Sequence, residues 1–290
     1  MSVTRMQVEK RVLGVSRWVV IAILVVATAF PFYYMVELSF VPIQDLLLHP
    51  ARLWVPIRQF TISTYATVLR SEGAGGEGFA HFMGNSALVA VATVLVTLLV
   101  AIPGTYAISR LQFFARRQIS TLFLAVYLFP VIIIAIPLFV GFSFIGLSDS
   151  LVGLMIVYVA QTIPVSVYML RTYLTAIPTS IEEAAMLDGA GRTRILWSVI
   201  IPLAMPTIMS TALYVFMIAW NEFLFALLFL TADRNLWTVS LGLAQLSNGI
   251  EVPKTILMAG SVLLTIPIVV LYSIAERSLT EGLTSGADKG

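Results

Sequence analysis

The chain has 290 residues, of which 59% are hydrophobic and 11% are charged, and its mean hydropathy is +0.96. A soluble domain carries about 25% charged residues, so this composition excludes an ordinary water-soluble fold and favours a protein whose surface faces lipid. The net charge of +2 is too small to indicate a nucleic-acid partner, and the absence of cysteine excludes disulfides, thiolate metal sites and a cysteine nucleophile.

Six stretches of the chain are apolar enough to cross a bilayer as helices, which takes about 20 residues each. They are residues 18–35, 87–107, 122–145, 151–170, 207–230 and 256–275. The stretches are longer than the strands of a membrane β-barrel and lack their alternation of apolar and polar residues. The sequence therefore predicts an all-α integral membrane protein with six transmembrane helices.

The first stretch also has features of a secretory signal peptide. Four basic residues precede a short apolar run, and residues 27–29 have the small-x-small form of a cleavage site. The apolar run nevertheless continues to Met35 and ends in aromatic residues, which are typical of a membrane interface. We therefore expect a retained helix over residues 17–40 after a cytoplasmic segment 1–16, with cleavage as the alternative. Glu37, near the outer interface, is expected to be solvated.

The placement of Lys and Arg predicts which helix ends are cytoplasmic. With six helices, both chain ends lie on one side together with the loops after the second and fourth helices. That side holds twelve of the 17 basic residues, and the other side holds five. Both termini, the tail 278–290 and the loop 171–204 are therefore expected to be cytoplasmic, and the segments 41–83 and 231–255 to lie outside.

Residues that could hold a metal ion or a nucleotide are scarce. His49 and His81 are the only histidines, and two histidines in one polar segment are too few for a metal site. The sequence contains no Gly-rich phosphate loop that ends in Gly-Lys-Ser or Gly-Lys-Thr. We therefore expect no metal, no cofactor and no catalytic residue in this chain.

The loop 171–204 contains a short segment with strong helix signals. Ser180, followed three residues later by Glu183, forms a capping box, and acidic residues in the first turn suit the helix dipole. Good helix formers follow at residues 184–187, and Gly189 supplies a stop. The sequence predicts a helix of about two turns, which is too short to be stable alone and must dock against something.

A second short helix is expected over residues 192–200, ending at Pro202. Taken alone, this loop could be a surface hairpin that merely connects two transmembrane helices. Its sequence, however, closely resembles the EAA loop of ABC importer permeases, whose short helix fits a cleft on a cytoplasmic ATPase subunit and transmits its closure to the membrane. The residues to which the resemblance assigns this coupling are Glu182, Glu183, Ala184, Ala185, Asp188, Gly189, Ala190 and Pro202.

Other segments resemble the carbohydrate-importer branch of that family, and within it the maltose-type second permease. These segments are residues 59–65, 221–222 and 282–286, although Asp288 stands where a small apolar residue is expected. The resemblance implies a type I ABC importer permease-like bundle, with its permease core at residues 84–277, in the plasma membrane of a bacterium or archaeon. The implied partners are a second homologous permease, two ATPase subunits that bind the ATP, and an extracytoplasmic solute-binding protein. The implied cargo is a di- or oligosaccharide.

A few polar residues at membrane depth are candidates for the translocation path. Glu222 lies in an otherwise apolar predicted helix, directly after Asn221, and an ionisable residue there is a functional candidate. The alternative is a hydrogen-bonded residue that packs against the partner subunit. Gln161, Thr162 and Ser166 give the fourth helix a polar stripe, which either lines a cavity or joins helices.

The outer loop between the fifth and sixth helices is a candidate contact for the binding protein. In maltose-type permeases this loop reaches into the binding protein, and the resemblance assigns the reaching part here to residues 245–251. The assigned contact residues are Gln245, Ser247, Asn248 and Gly249, the last three forming a turn-like tip.

Two other functions are alternatives to an importer subunit. An ion-driven secondary transporter usually has internal repeats and buried ion sites, and no convincing repeat is seen. An intramembrane enzyme needs a nucleophile and a base at membrane depth, and both histidines lie outside the predicted spans.

Overall fold

The computed structural model describes residues 5–48, 54–248 and 254–287. Every regular element in these ranges is helical. The chain divides into two compact units: the described residues up to Glu77 together with Leu246–Leu263, and Gly78–Gln245 together with the described residues from Leu264 on. The predicted all-α fold is confirmed for the described residues.

The first unit contains one long apolar helix and the segment after it. Its helices are α1 (Arg5–Ser39), α2 (Ile43–Leu48) and α3 (Ser63–Leu69). The side chain of Glu37 is only 4% exposed, and its carboxylate accepts a hydrogen bond from the backbone N–H of Val55. The Oγ of Ser39 lies 2.7 Å from the hydroxyl of Tyr65. The prediction that Glu37 is solvated is therefore wrong, because the chain folds back over the end of α1.

The remaining helices lie wholly or partly in the second unit. They are α4 (Phe79–Arg110), α5 (Arg116–Leu128), α6 (Val131–Phe144), α7 (Leu151–Leu174), α8 (Thr179–Leu187), α9 (Arg192–Ile195), α10 (Ile201–Leu203), α11 (Met205–Asn221), α12 (Leu224–Phe229), α13 (Val239–Asn248) and α14 (Lys254–Ala287). A π-helical turn at Leu196–Ile200 joins α9 to α10.

Helices α4 and α7 pack closely at the centre of the second unit. Small residues recur at every fourth position of α4, and all of them are fully buried: Thr93, Thr97, Ala101 and Thr105. Small side chains allow two helix backbones to approach closely where no hydrophobic effect drives their association. The hydroxyls of Thr97 and Thr162 lie 2.8 Å apart and link the two helices.

Four helices in the described ranges are long and apolar enough to cross a membrane: residues Leu13–Ser39 of α1, α4, α7 and residues Lys254–Glu276 of α14. Two bent pairs bring the number to six if each pair is one span. Helices α5 and α6 meet at 98°, and the run Arg192–Leu203 meets α11 at 78°.

The predicted spans 122–145 and 207–230 are therefore not continuous helices. In the first, Pro130 separates α5 from α6, and Phe129 before it is extended, as is favoured for a residue that precedes proline. In the second, the helix ends at Asn221 and a short helix begins at Leu224. Both interruptions fall inside stretches that hydropathy alone joins into single spans.

Candidate functional site

The helix predicted from the EAA-like segment is present as α8, but its start differs from the prediction. Pro178 is the N-cap residue, with φ −61° and ψ 136°, and no side chain caps the helix. A capping residue needs extended dihedrals, whereas Ser180 already lies within the helix. The predicted capping box of Ser180 and Glu183 is therefore wrong, because the preceding proline starts the helix earlier.

The end of α8 has the predicted glycine stop. Gly189 has φ 82°, its N–H donates to the carbonyl of Met186 at 3.0 Å, and the N–H of Ala190 donates to the carbonyl of Ala185 at 3.0 Å. These two bonds form a Schellman motif, in which a left-handed residue closes the helix. No heavy atom lies within 4 Å of the position that a Cβ would take at Gly189. The requirement for glycine is thus conformational, not steric.

Glu182 fixes α8 to the end of α4. Its side chain is 5% exposed, and its Oε1 lies 2.5 Å from Nε of Arg110. The hydroxyl of Tyr106 donates to Oε2 at 3.0 Å, and Nη2 of Arg110 donates to the carbonyl of Ile177 at 2.7 Å. The two α4 residues lie four positions apart, so both face the same carboxylate. Glu182 therefore contacts α4 of its own chain.

Sequence reasoning missed Tyr106 and Arg110. The available signal was the spacing of a tyrosine and an arginine on one face at the end of a predicted span. That spacing gains meaning only when the loop after α7 is known to fold back on α4. The two adjacent glutamates also separate, since Glu182 is buried and Glu183 is exposed.

The outward face of α8 combines an acid with apolar side chains. Glu183, Ala184 and Asp188 are exposed, and Leu187 is 90% exposed. The other two predicted alanines point inward. Ala185 and Ala190 are half-buried and pack against a buried apolar cluster around Ile195. The segment thus presents a short apolar and acidic surface on a helix whose opposite side is anchored.

The predicted second helix of the loop continues slightly further than expected. The N–H of Ile201 donates to the carbonyl of Leu196, five residues earlier, within the π-helical turn. Pro202 has no N–H to donate to the preceding turn, which accounts for the local widening. The chain stays helical to Leu203 and then bends into α11. The hydroxyl of Tyr173 at the end of α7 donates to the carbonyl of Leu203 at 2.9 Å.

The polar stripe on α7 serves both of the purposes that the sequence left open. Thr162 joins α7 to α4, and Ser166 donates to the carbonyl of Thr162 at 2.8 Å. Gln161 instead lines a cavity of about 630 Å³ between α5, α6, α7 and α11, together with Tyr127 and Tyr214. Its Oε1 is buried without a hydrogen-bond partner in the described residues. Gln161 is thus the member of the stripe that faces open space.

Glu222 lies at the break between α11 and α12, not within a continuous helix as predicted. Its carboxyl oxygens accept hydrogen bonds from the backbone N–H of Phe225 at 2.9 and 3.1 Å and of Ala226 at 3.2 Å. The hydroxyl of the buried Tyr158 donates to Oε2 at 2.5 Å. These contacts match the alternative of a hydrogen-bonded packing residue. Asn221 is exposed, and its side chain donates to the carbonyl of Met217 at 2.9 Å.

The predicted turn-like tip of the outer loop is helical as far as it is described. Gln245, Ser247 and Asn248 lie in the last turns of α13, and Gly249 lies outside the described residues. A turn at residues 247–248 is therefore wrong. Val239, Leu241 and Leu246 of this helix are buried.

Comparison with known proteins gives concordant matches. The family described as the binding-protein-dependent transport system inner membrane component matches residues 98–283. The chain is 36% identical over 271 residues to the inner membrane ABC transporter permease protein YcjP of Escherichia coli, covering 93% of this chain and 94% of that protein. It is 36% identical over 290 residues to the trehalose/maltose transport system permease protein MalG of Thermococcus litoralis, covering 99% of each.

A third relative and a solved structure extend these matches. The trehalose transport system permease protein SugB of Mycobacterium tuberculosis is 33% identical over 279 residues, covering 94% of this chain and 97% of that protein. A chain of a bacterial ABC transporter involved in the import of the acidic polysaccharide alginate superposes with a TM-score of 0.78, covering 96% of this chain and 99% of that one. At 23% identity, this second likeness concerns the fold.

Proposed function

Because this chain belongs to the family of binding-protein-dependent transport system inner membrane components, we propose that it is the permease subunit of an ABC importer that moves a di- or oligosaccharide into the cell. The chain is a multi-pass membrane protein, and we assign it to the plasma membrane. In this proposal it has no ATPase site of its own, and ATP is bound by two cytoplasmic ATPase subunits. A second, homologous permease and an extracytoplasmic solute-binding protein complete the importer.

The observation that carries this proposal is the two-sided character of α8. Its inward side is fixed to α4 through Glu182 and Arg110, while Glu183, Ala184 and Leu187 are exposed. A helix of nine residues is too short to be stable alone, so both of its sides need partners. In the proposed assembly the exposed side enters a cleft on an ATPase subunit. Movement of that subunit is then transmitted to α4 through the buried ion pair.

The orientation of the chain in the membrane is proposed from the placement of its basic residues. We place both termini and the α8 segment in the cytoplasm, because twelve of the 17 basic residues then lie on the cytoplasmic side. The end of α13, with Gln245, Ser247 and Asn248, then lies on the outer side of the membrane. We propose that this end contacts the solute-binding protein.

The class of solute is inferred from the relatives. Two similar proteins are named for trehalose or for trehalose and maltose, and a third, from Streptomyces coelicolor, is a diacetylchitobiose uptake system permease protein. All of these sugars are disaccharides. In this chain the polar side chains of Gln161, Tyr127 and Tyr214 line one cavity between α5, α6, α7 and α11. We propose that this cavity belongs to the translocation path, whereas Asn221 and Glu222 belong to its supporting structure.

Uptake by the reconstituted complex tests the proposal. The affinity-tagged chain is purified from its native membrane with its co-purifying subunits and inserted into proteoliposomes, and uptake of radiolabelled maltose and trehalose is measured. We expect uptake to require ATP and solute-binding protein, and to be lost in Glu183→Lys but largely retained in Glu183→Gln. Uptake that follows an ion gradient without ATP would instead identify a secondary transporter.

A further inference from the structure

A basic depression lies beside the start of α5 and is used by none of the contacts described above. It has a volume of about 650 Å³ and is lined by three arginines, Arg116, Arg117 and Arg171, and by no acidic residue. Arg171 comes from the last turn of α7. The depression therefore lies at the end of α4 and α7 from which the loop with α8 extends.

The three arginines are in different states. The side chain of Arg116 is fixed, because its Nε donates to the carbonyl of Ile108 at 2.5 Å and its Nη2 to the carbonyl of Ser109 at 3.0 Å. Arg117 and Arg171 are exposed, and within the described part of the chain neither guanidinium has a hydrogen-bond or ion-pair partner. One guanidinium is thus held in place for a ligand, and two others are available to close on it.

The backbone at the same place adds further donors. Ala115, the N-cap residue of α5, has φ 66°, and no side chain caps this helix of 13 residues. The N–H groups of Arg117 and Gln118 have no backbone acceptor among the described residues. Uncapped N–H groups at a helix start favour an anion, and phosphate is the common one. Three arginines and the uncapped first turn of α5 therefore line one depression.

The surroundings of the depression are apolar and exposed. Of the residues that line it, Phe113 is 40% exposed and Leu124 is 47% exposed. A soluble anion would leave these apolar side chains without a contact. A phospholipid supplies a phosphate for the arginines and acyl chains for the apolar side chains. The cytoplasmic leaflet of a membrane carries the anionic lipids that attract basic residues.

We propose that this depression is a binding site for the head group of an anionic phospholipid in the cytoplasmic leaflet. Arg116 and the N–H groups at the start of α5 hold the phosphate, and Arg117 and Arg171 close over it. Phe113 and Leu124 lie against the acyl chains. The inference rests on the proposed orientation of the chain in the membrane and is independent of the transported solute.

Native mass spectrometry of the purified full-length chain tests this site. Phosphatidylglycerol and phosphatidylcholine with the same acyl chains are titrated separately, and the dissociation constant of the first bound lipid is measured. Each of Arg117→Gln and Arg171→Gln is expected to weaken phosphatidylglycerol binding about fivefold, which corresponds to about 1 kcal/mol per basic side chain near the membrane surface. Phosphatidylcholine binding is expected to stay unchanged in both variants.

Two further variants separate a specific site from general charge and from misfolding. Arg117→Lys/Arg171→Lys keeps the charge and should retain binding within about threefold of the parent, since Lys also binds phosphate but as a point charge. Arg192→Gln/Arg194→Gln removes two exposed arginines of the same unit that do not line the depression. This control should leave phosphatidylglycerol binding within about twofold.

Several outcomes would overturn the inference. If phosphatidylglycerol binding weakened equally in Arg117→Gln/Arg171→Gln and in Arg192→Gln/Arg194→Gln, the lipid would be attracted by general surface charge and not by a specific site. Equal loss of phosphatidylcholine binding would indicate damage to the fold. Displacement of phosphatidylglycerol by 10 mM inorganic phosphate (roughly the concentration at which a weak anion site fills) would make the site one for soluble anions. Loss of binding when an ATPase subunit is added would assign the arginines to a protein contact.

Discussion

Glu182, in the first turn of α8, and Glu222, at the break between α11 and α12, each accept a hydrogen bond from a tyrosine hydroxyl. For Glu182 the donor is Tyr106 at 3.0 Å, and for Glu222 it is Tyr158 at 2.5 Å. The remaining partners differ in kind. Glu182 is paired with Arg110 of α4, which lies 72 residues earlier in the chain.

Glu222 is satisfied locally. Its other donors are the backbone N–H groups of Phe225 and Ala226, three and four residues later. A local cap of this type fixes the angle at which the chain leaves one helix and enters the next. A long-range ion pair instead fastens a separate element to the bundle. The first arrangement shapes a bend, whereas the second can transmit a force.

The largest effect is expected from removing Arg110, the α4 cation that pairs with Glu182 of α8. Arg110→Met leaves the carboxylate of Glu182 buried without its partner, because the two side chains are only 11% and 5% exposed. Breaking a buried pair from one side costs about 3–5 kcal/mol. We expect α8 to detach, and tryptic cleavage at the exposed Arg192 and Arg194 to accelerate by at least about 100-fold if cleavage follows the detached population.

The double variant Arg110→Met/Glu182→Leu is the matched control for this prediction. Replacing both members of a buried pair by apolar residues of similar size is often neutral, so cleavage should return close to the parent rate. If the single and double variants were cleaved equally fast, the ion pair would not be what holds α8.

A smaller loss is expected at the local cap. Glu222→Leu removes the acceptor of two backbone N–H groups and of the Tyr158 hydroxyl, and a hydrogen bond that involves a charged group contributes about 1.5–3 kcal/mol. We expect a lower midpoint of thermal unfolding for the purified chain and an unchanged rate of tryptic cleavage at Arg192. Tyr158→Phe deletes one of these bonds and should lose only part of that stability.

Accelerated cleavage in Glu222→Leu would contradict the separation of the two regions. It would mean that the bend after α11 also controls the attachment of α8. The two glutamates would then belong to one connected network, rather than to a fastening and a cap.

The same two regions differ in what their sequences reveal. The α8 segment was predicted as a short helix with a glycine stop, because helix formers and Gly189 are local signals. Its capping box was wrong, since Pro178 determined where the helix starts. The buried pair of Glu182 and Arg110 could not be predicted, because it depends on how the loop folds back on α4.

At the break between α11 and α12 the prediction failed because the local signal did not show the break. Hydropathy joined residues 207–230 into one span, since a break that is capped by Glu222 leaves the surrounding residues as apolar as a continuous helix does. The same pattern joined α5 to α6 across Pro130. Apolar composition reports that a segment lies in lipid, and it does not report whether the helix is continuous.

The smallest effect on stability, and the most informative for the proposed coupling, is expected at Gly189. Its φ of 82° is a conformation that costs a residue with a Cβ about 1–2 kcal/mol, so Gly189→Asp should distort the Schellman motif that ends α8 and add a charge beside Asp188. Gly191→Asp is a matched control, because Gly191 is exposed with φ −73° and open space around its Cβ position. Gly189→Asn should be intermediate, since Asn tolerates the left-handed conformation better than most residues.

We expect membrane levels of the chain to be equal in all three variants. ATPase co-purification and sugar uptake should fall at least about tenfold in Gly189→Asp, since 1.4 kcal/mol corresponds to a factor of ten. Equal losses in Gly189→Asp and Gly191→Asp would assign the defect to charge alone. If ATPase co-purification and sugar uptake stayed intact in Gly189→Asp, the proposed contact with the ATPase would not depend on the left-handed conformation of Gly189. It would then depend on the exposed side of α8 alone.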